Sequence, residues 1–441
     1  MAVSIPQPIK NGHSCADAVR LLELAKSIAA KAQEVVEGLQ QQGLPQPSLG
    51  PDGSSPDFIP VLDTRLQEVR RSLVSDARLL ADTFTGTRKL IDEQLQFSVH
   101  TITVMRILYT FNIPKHVPLD AAISFADVAQ SCGLEESRLT RILRYLILNH
   151  IFEEPEPGKI AHSAISKFLL SNDAVGMDFI GHMLEEALPS AIGQTDCLKN
   201  PPLHSSPVLD CGFAVAVGHS KSSYFDVMAQ EPERTKRFGR AMTHMTSSGG
   251  HNSIERVLTS YDWAGLGHAK VVDVGGSVGH VAVDLLKYVP ALKKVIVQDL
   301  PEVIEDARAN PIPQVADVAD RLEFQGYNFF DPQPIQDADV YLFRHVFHDW
   351  PNQKAEEIIR NVVPSMRSGS ILIVVEYILY PTGEDDSYSA KMARTADMQM
   401  MVLLNAKERS LTDWKELLDI ASGGSLAFEQ AKGNVLVFRK K

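Results

Sequence analysis

"AKVVDVGGSVGHVAVDLLKYVPALKKVIVQDL", residues 269–300, decides the fold. A β-branched run stops at Gly275 and Gly276, a helical segment begins just after Gly279, and a second β-branched run closes at Asp299. Strand, tight turn, helix and strand form the repeating unit of a parallel sheet covered on both faces. The alternation continues with "DADVYLFRHV" (337–346), the helical "QKAEEIIRNVVPSMR" (353–367) and "GSILIVVEYI" (369–378). The tail "SLAFEQAKGNVLVFRKK" (425–441) reads as a hairpin turning at Lys432-Gly433. Residues 256–441 are therefore expected to form a Rossmann-like, doubly wound α/β domain ending in an antiparallel hairpin. Such a sheet binds its ligand at the carboxyl ends of its strands, where the strand order reverses.

The polar residues sit at those ends. Gly275 and Gly276 let a ligand approach the backbone closely, and Gly279 lets the helix pack against the strand. Asp299, closing the next strand, stands where a carboxylate accepts both hydroxyls of an adenosine ribose. A dinucleotide fingerprint fails twice when counted from Gly275, because its third position is Ser277 and its sixth is His280. Asp273, inside the first turn, would repel a pyrophosphate but suits a cation or an amino group. S-adenosylmethionine, with a sulfonium, an ammonium and no phosphate, meets these demands.

A second concentration of chemistry is "RHVFHDWPNQ" (344–353), which sets His345, His348, Asp349 and Trp350 where a strand gives out. A metal site from the two histidines and a carboxylate lacks the H-E-x-x-H spacing on a helix, so His345 is read as structural and no metal is expected.

The 441-residue chain is 44% hydrophobic and 22% charged, the composition of a globular protein with room for two or three domains. Its formal net charge of −12 works against nucleic acid and anionic membrane surfaces as partners. Cys15, Cys132, Cys197 and Cys211 stand far apart without a C-x-x-C pair, which fits a reducing compartment. With neither a basic-then-apolar leader pattern nor an apolar run long enough to span a bilayer, a cytoplasmic location is expected.

Upstream, Leu21, Ala25, Ile28, Ala32, Val35 and Leu39 draw one apolar stripe along a helix, followed by the Pro/Gly/Ser-rich "GLPQPSLGPDGSSPDFIP" (43–60). Residues 1–57 are read as a helix plus flexible linker, packed either on a second copy of the chain or on its own domain. Residues 58–170 carry helical periodicity and then a short helix, a turn at Cys132-Gly133, a second helix and a hairpin tip at "EPEPGK", the order of a winged helix. Arg138, Arg141 and Arg144 recur at the spacing of a DNA-reading helix, but Glu135 and Glu136 begin that helix and the whole chain is acidic. Residues 171–255 are read as a mostly helical connector with loops such as "KNPPLHSSPVLDCG" (199–212).

The blocks "VVDVGGSVGHVAVDLLKYVP", "VIVQDLPEVI", "FRHVFHDWPNQ", "ILIVVEYIL" and "NAKERSLTDWKELLDIA" occur in the order and spacing of class I small-molecule O-methyltransferases. From about residue 90 onward the chain resembles the plant caffeate and flavonoid enzymes and their fungal secondary-metabolite relatives. The resemblance implies S-adenosylmethionine-dependent methylation of a phenolic or enolic oxygen on a small aromatic metabolite, without metal, in a homodimer held by the helical and winged-helix domain. It places Asp273, Gly275, Gly276, Asp299 and Leu300 around the methionine part and ribose, with Thr246 in the same cofactor set. Asn328 and Phe329 fall against the adenine, where the family has an acid and an apolar residue; the Asn is a departure that keeps a hydrogen-bonding amide. Arg344 matches a basic residue near the adenine or ribose, and Trp350 an indole stacking on the ring. Ser277 replaces a common glycine.

His348 falls at the family's general-base position, with Glu376 and Glu408 as flanking carboxylates and Asp349 beside it. A phenol near pKa 10 facing a histidine near 6.5 makes full proton transfer uphill by about 3.5 units, or roughly 5 kcal/mol. Flanking glutamates raise the imidazole, and a sulfonium stabilises the developing oxyanion. Met242, Met245, Met400, Met401 and Leu404 match pocket-lining positions, although a methionine stripe equally suits a core. Two rival readings are a cyclase or dehydratase that uses the bound sulfonium only as a fixed charge, and a winged-helix DNA-binding regulator.

Overall fold

The computed structural model describes residues 13–53, 59–60, 63–170, 175–199, 209–218, 223–247, 254–381 and 387–441. Part of the linker, most of the 199–212 loop and the glycines after α11 lie outside them, as does the side chain of Thr246.

Three long helices open the chain: α1 (His13–Gln41), α2 (Thr64–Thr85) and α3 (Thr87–Thr110). Gly86, at φ 81°, separates α2 from α3. The stripe of α1 packs on α2 of the same chain, burying Val35 and Leu39 with Ile59 and Leu66. Gly38 makes this approach possible, since a Cβ there would stand 2.7 Å from Leu66 Cδ2. Of the two readings of this helix, packing on its own chain is thus realised, and Lys31 pairs with Asp76 across the contact at 2.6 Å. The expected loose linker is held down over its described part, because Leu49 O accepts from Ala164 N at 3.2 Å and Pro51 O from Lys167 Nζ at 2.9 Å.

Next come β1 (Ile123–Ser124), α4 (Phe125–Cys132), α5 (Glu136–Leu148), and the hairpin β2 (Phe152–Glu156) and β3 (Lys159–His162), with sheet order β1-β3-β2. Gly133, in the left-handed region at φ 68°, makes the turn between α4 and α5. Leu139, Leu143 and Leu146 of α5 face inward while its three arginines are exposed, and Arg144 pairs with Glu154 at 3.5 Å. The connector is helical: α6 (Ala164–Leu169), α7 (Val175–His182), a π-helical turn (Met183–Ala187), α8 (Leu188–Lys199), α9 (Gly212–Ala216), α10 (Tyr224–Gln230), α11 (Pro232–Ser247) and α12 (Ile254–Ser260).

The C-terminal part contains β4 (Lys270–Val274), α13 (His280–Tyr288), β5 (Lys294–Asp299), α14 (Pro301–Ala309), β6 (Leu322–Gly326), β7 (Val340–Arg344), α15 (Asn352–Val362), β8 (Ile371–Val375), β9 (Ile378–Leu379), α16 (Tyr388–Leu404), β10 (Arg409–Ser410), α17 (Leu411–Ser422), β11 (Leu426–Lys432) and β12 (Val435–Lys440). The large sheet runs β11-β12-β8-β7-β4-β5-β6. Strands β4 to β8 are parallel, and only the terminal hairpin is antiparallel. The two-residue period of the strands sorts the core: Val272, Val274, Tyr341 and Phe343 pack toward α15 and α17, whereas Val271, Val295, Leu342 and Ile373 pack toward α12 and α13. Strand order reverses beside β4, so the carboxyl ends of β4 and β7 flank a cleft that receives Gly275 and His345. Among the described residues no helix is long and apolar enough to cross a membrane.

Candidate active site

The turn after β4 is anchored by its neighbour strand: Gly275 N and Gly276 N both donate to Gln298 O, at 2.8 and 3.1 Å. Gly275 adopts φ 76°, and a Cβ at Gly276 would stand 2.6 Å from Asp273 Oδ2. Ser277 sits at φ 52°, in the left-handed region, where an L side chain costs roughly 1–2 kcal/mol. Its N–H donates to Asp299 Oδ2 at 2.9 Å, and Leu300 N donates to Asp299 Oδ1 at 2.8 Å, so both carboxylate oxygens are aimed by backbone. Burial pushes Asp299 above the usual carboxylate range, against those two hydrogen bonds. Leu300 stays exposed at the rim.

Asp273 is fully buried, and its Oδ2 has no hydrogen-bond partner among the described residues. Burial pushes its pKa up to about 7 against the pull of Arg344. A buried carboxylate oxygen without a hydrogen bond has capacity for a further donor beside Arg344. Arg344, at the end of β7, is itself lowered by burial while Asp273 and Glu376 act the other way.

Asn328 is exposed, and its Oδ1 accepts from Phe330 N at 3.0 Å, a local turn that fixes the loop carrying Phe329. Trp350 completes an aromatic cluster there. Phe330 meets it edge-on at 4.8 Å, Phe329 at 6.0 Å, and Phe225 of α10 lies stacked at 5.9 Å.

His348 rides a 3₁₀ turn (Phe347–Asp349) directly after β7. Glu376 Oε1 clamps the start of that turn by accepting from Val346 N and Phe347 N at 3.0 and 2.9 Å. His345 adopts φ 52° to let the chain leave the strand. Parallel pairing of β9 with β10 sets Ile378 beside Arg409 and thereby brings Glu376 and Glu408 alongside one another. Glu408 Oε1 lies 2.7 Å from His348 Nδ1, Glu376 Oε2 lies 3.5 Å from the same nitrogen, and Asp349 Oδ1 lies 3.6 Å from Nε2. The two flanking carboxylates thus share one nitrogen, and one of them, Glu408, hydrogen-bonds it. A carboxylate at 2.7 Å requires the proton on Nδ1, which leaves Nε2 as the basic position of the neutral ring.

Burial works to lower His348, but the charges of Glu376, Glu408 and Asp349 prevail and hold its pKa up at about 10. Asp349 is pushed up to about 7 by burial, against His348. Glu376 stays below the ordinary range because His348, His345 and Arg409 outweigh its burial. His345 has its pKa depressed to about 4, chiefly by burial. His345, His348 and Glu376 present ligand atoms within 4.8 Å of one another, and of the two His348 nitrogens Nδ1 is committed to Glu408.

Met400, Met401 and Leu404 gather on α16 in a cluster with Tyr224 and Phe225. Met242 and Met245 are half-buried on α11, outside that cluster. Sequence reasoning missed Arg409, a fully buried guanidinium that donates to Phe347 O, Trp350 O and Asn352 Oδ1 at 2.9, 2.8 and 3.1 Å and so ties the His348 turn to the Glu408 segment. Its position beside Glu408 in "AKERS" was the available signal. It also missed α10, whose Ser223/Asp226 capping box is legible in "SSYFDV".

Residues 200–423 match the model of an O-methyltransferase domain. A chlorophenol O-methyltransferase of Trichoderma longibrachiatum is 33% identical over 91% of this chain and 85% of that protein. The O-methyltransferase AMT9 of Alternaria alternata is 33% identical, covering 93% of this chain and 94% of its own length. Among solved structures, LepI in complex with SAM superposes with a TM-score of 0.70 over 95% of this chain and all of that one, at 23% identity, a likeness of fold.

Proposed function

The chain belongs to the O-methyltransferase domain family, and on that premise we propose that it methylates a phenolic or enolic hydroxyl of a small aromatic metabolite with His348 as general base. The reaction is S-adenosylmethionine-dependent. Asp273, buried with Oδ2 lacking a hydrogen-bond partner among the described residues, suits the ammonium of that cofactor, and the Gly275-Gly276 turn packs so closely that a Cβ would strike Val346 or Asp273. Asp299 would take the ribose hydroxyls, with Asn328, Phe329 and Trp350 at the adenine and Arg344 supporting Asp273. When bound, the cofactor supplies an electrophilic methyl on a sulfonium.

The residues of the chain manage the proton. With His348 near pKa 10, proton transfer from a phenol near 10 is close to thermoneutral, and the roughly 5 kcal/mol gap of an ordinary histidine disappears. What remains is the cost of removing one proton from the phenol and imidazolium pair at neutral pH, about 3 units or roughly 4 kcal/mol, wherever that proton leaves from. Glu408 keeps the ring oriented and compensates its charge; Glu376 fixes the turn; Asp349 adds negative charge beside Nε2.

The observation that carries this reading is the 2.7 Å contact of Glu408 with His348 Nδ1, made in the same turn that Glu376 clamps. That set favours methyl transfer over a cyclase or dehydratase that uses the cofactor only as a fixed charge. The test is to incubate the purified protein with methyl-labelled S-adenosylmethionine and a metabolite extract and to follow labelled small molecules. Label should enter a phenol, and His348→Ala should abolish the transfer while cofactor binding survives. Equal loss of both would refute the base assignment.

We read 58–170 as a helical and winged-helix domain used for homodimerisation, 171–255 as the connector bearing Met242 and Met245, and 256–441 as the cofactor domain. The support is an exposed apolar stripe on α3, Ile91, Leu95, Val99 and Ile102, of a kind that marks interaction sites. The exposed arginines of α5, of which Arg138 pairs with Glu135 and Arg144 with Glu154, and the acidic charge argue against DNA as the partner. Cys132 and Cys197 are free thiols, which fits the cytoplasm.

A further inference from the structure

We infer that Tyr224, at the start of α10, is a specificity-determining residue whose hydroxyl donates a hydrogen bond to a second oxygen of the substrate, one adjacent to the oxygen that is methylated. The inference deepens the proposed phenol methylation and rests on it. Tyr224 is 2% exposed, and its hydroxyl has no hydrogen-bond partner among the described residues. Buried tyrosine hydroxyls ordinarily find one, because a buried polar group left unsatisfied has lost its water without compensation. The ring is locked edge-on by Phe213 at 5.1 Å, Phe225 at 5.4 Å and Phe238 at 5.9 Å, so the hydroxyl cannot swing out to water.

Its surroundings define the missing partner. Tyr224 shares a cluster with Leu404, Met400 and Met401, while its neighbour Phe225 stacks on Trp350. The charges of Glu186 and Asp349 both reach the hydroxyl and, after burial, are the largest influences holding it protonated. Glu186 does not accept its proton, since the Tyr224 hydroxyl has no partner among the described residues, and its oxygens are engaged elsewhere: Oε1 by Arg234 Nε at 3.1 Å and by Arg237, and Oε2 facing His182 Nδ1 at 3.3 Å. Asp349 stands beside His348 Nε2, the position that meets the reacting oxygen. A neutral hydroxyl with its proton unused, in a cluster that joins α16 and, through Phe225, Trp350, calls for an uncharged acceptor carried by the ligand: a carbonyl or hydroxyl oxygen next to the methylated one.

The test is a cycle of two proteins and two ligands. Dissociation constants of 2-hydroxyacetophenone and 2-ethylphenol, which differ in the carbonyl oxygen alone, are measured by calorimetry with saturating S-adenosylhomocysteine for the parent protein and for Tyr224→Phe. The parent should prefer the ketone about tenfold, as one hydrogen bond of ordinary strength gives. Tyr224→Phe should bring the two ligands within about twofold, with 2-ethylphenol binding unchanged. Should the variant fold poorly, 3-fluorotyrosine at position 224, a stronger donor of nearly the same size, should widen the preference. An unchanged preference in the variant, equal weakening of both ligands, or no preference in the parent would overturn the inference. Label transfer to 2-ethylphenol reports the parent reading separately: transfer without discrimination sinks only the role of Tyr224, and discrimination without transfer sinks only methylation.

Discussion

Glu408 Oε1 and His348 Nδ1 meet at 2.7 Å across sixty residues of sequence. The contact exists because β9 and β10 pair in parallel and Glu408 N donates to Asp397 Oδ1 at 3.0 Å. It sets both the tautomer and the basicity of the ring.

Replacing that carboxylate by an amide should therefore move a pKa. Glu408→Gln removes the hydrogen-bonded charge, so His348 should titrate at least one unit lower, and kcat should fall on the order of ten- to a hundredfold. The same shift should appear in stability. His348 is raised in the folded state, so its contribution is complete below about pH 6.5 and is lost as pH rises through about 10. Melting temperature of the parent should fall over that window, and the fall should be shallower in Glu408→Gln. Identical pH profiles for kcat/KM in the two proteins would remove the carboxylate from the mechanism.

At Asp273 stability also falls with rising pH, but here the charged form is the destabilising one. Its pKa is raised by burial, so the ionised side chain destabilises the free protein: the cost is absent below about pH 3.8 and complete above about 7. Asp273→Asn should stabilise the cofactor-free protein at pH 8 by up to about 4 kcal/mol, with little effect near pH 4. S-adenosylmethionine affinity should fall by at least about tenfold, since the amide offers no charge to an ammonium. Thermal melting with and without cofactor separates the effects, and a variant that loses stability while keeping affinity would contradict the assignment.

Both of those sites were legible because their chemistry coincides with strand ends. The alternation of "VVDVGG" and "VIVQDL" with helical segments fixes the sheet, and Asp273, Asp299, His348 and Glu376 all lie within a few residues of a strand terminus. What lay hidden depends on long-range geometry. Arg409 reads as one more surface cation until the parallel pairing of β9 and β10 buries it under Phe347 O and Trp350 O. Tyr224 reads as a helix-start aromatic, and its site needs α9, α11 and α16 to be assembled around it. The 171–255 connector was opaque because its helices are short and interrupted by a π-helical turn, which breaks the 3.6-residue period that reveals longer helices.

Gly276 tests the cradle itself. A methyl group there would fall 2.6 Å from Asp273 Oδ2 and 2.9 Å from Val297 Cγ1, and the latter belongs to a packed strand that cannot retreat. Gly276→Ala should cost roughly 1–3 kcal/mol and weaken cofactor binding, both measurable by calorimetry. Gly276 is not at positive φ, so the cost there is the clash alone; Gly43→Ala, at φ 65° with nothing within 4 Å, carries backbone strain without a clash and should leave cofactor affinity unchanged.

The exposed stripe on α3 makes the last prediction. Ile91, Leu95, Val99 and Ile102 recur at helical spacing, and Leu95 is 65% exposed and Val99 58% exposed. Four such side chains on one face, continued by Phe84 of α2 at 73%, are more than scattered surface apolars, and a homodimer would need roughly 800 Å² or more from each copy. A double substitution, Leu95→Glu with Val99→Lys, should yield a monomer by light scattering while leaving the monomer's circular dichroism unchanged, because neither side chain is part of the described core. A dimer that survives the two charges would place the interface elsewhere, and a monomeric parent would show that the stripe serves another partner.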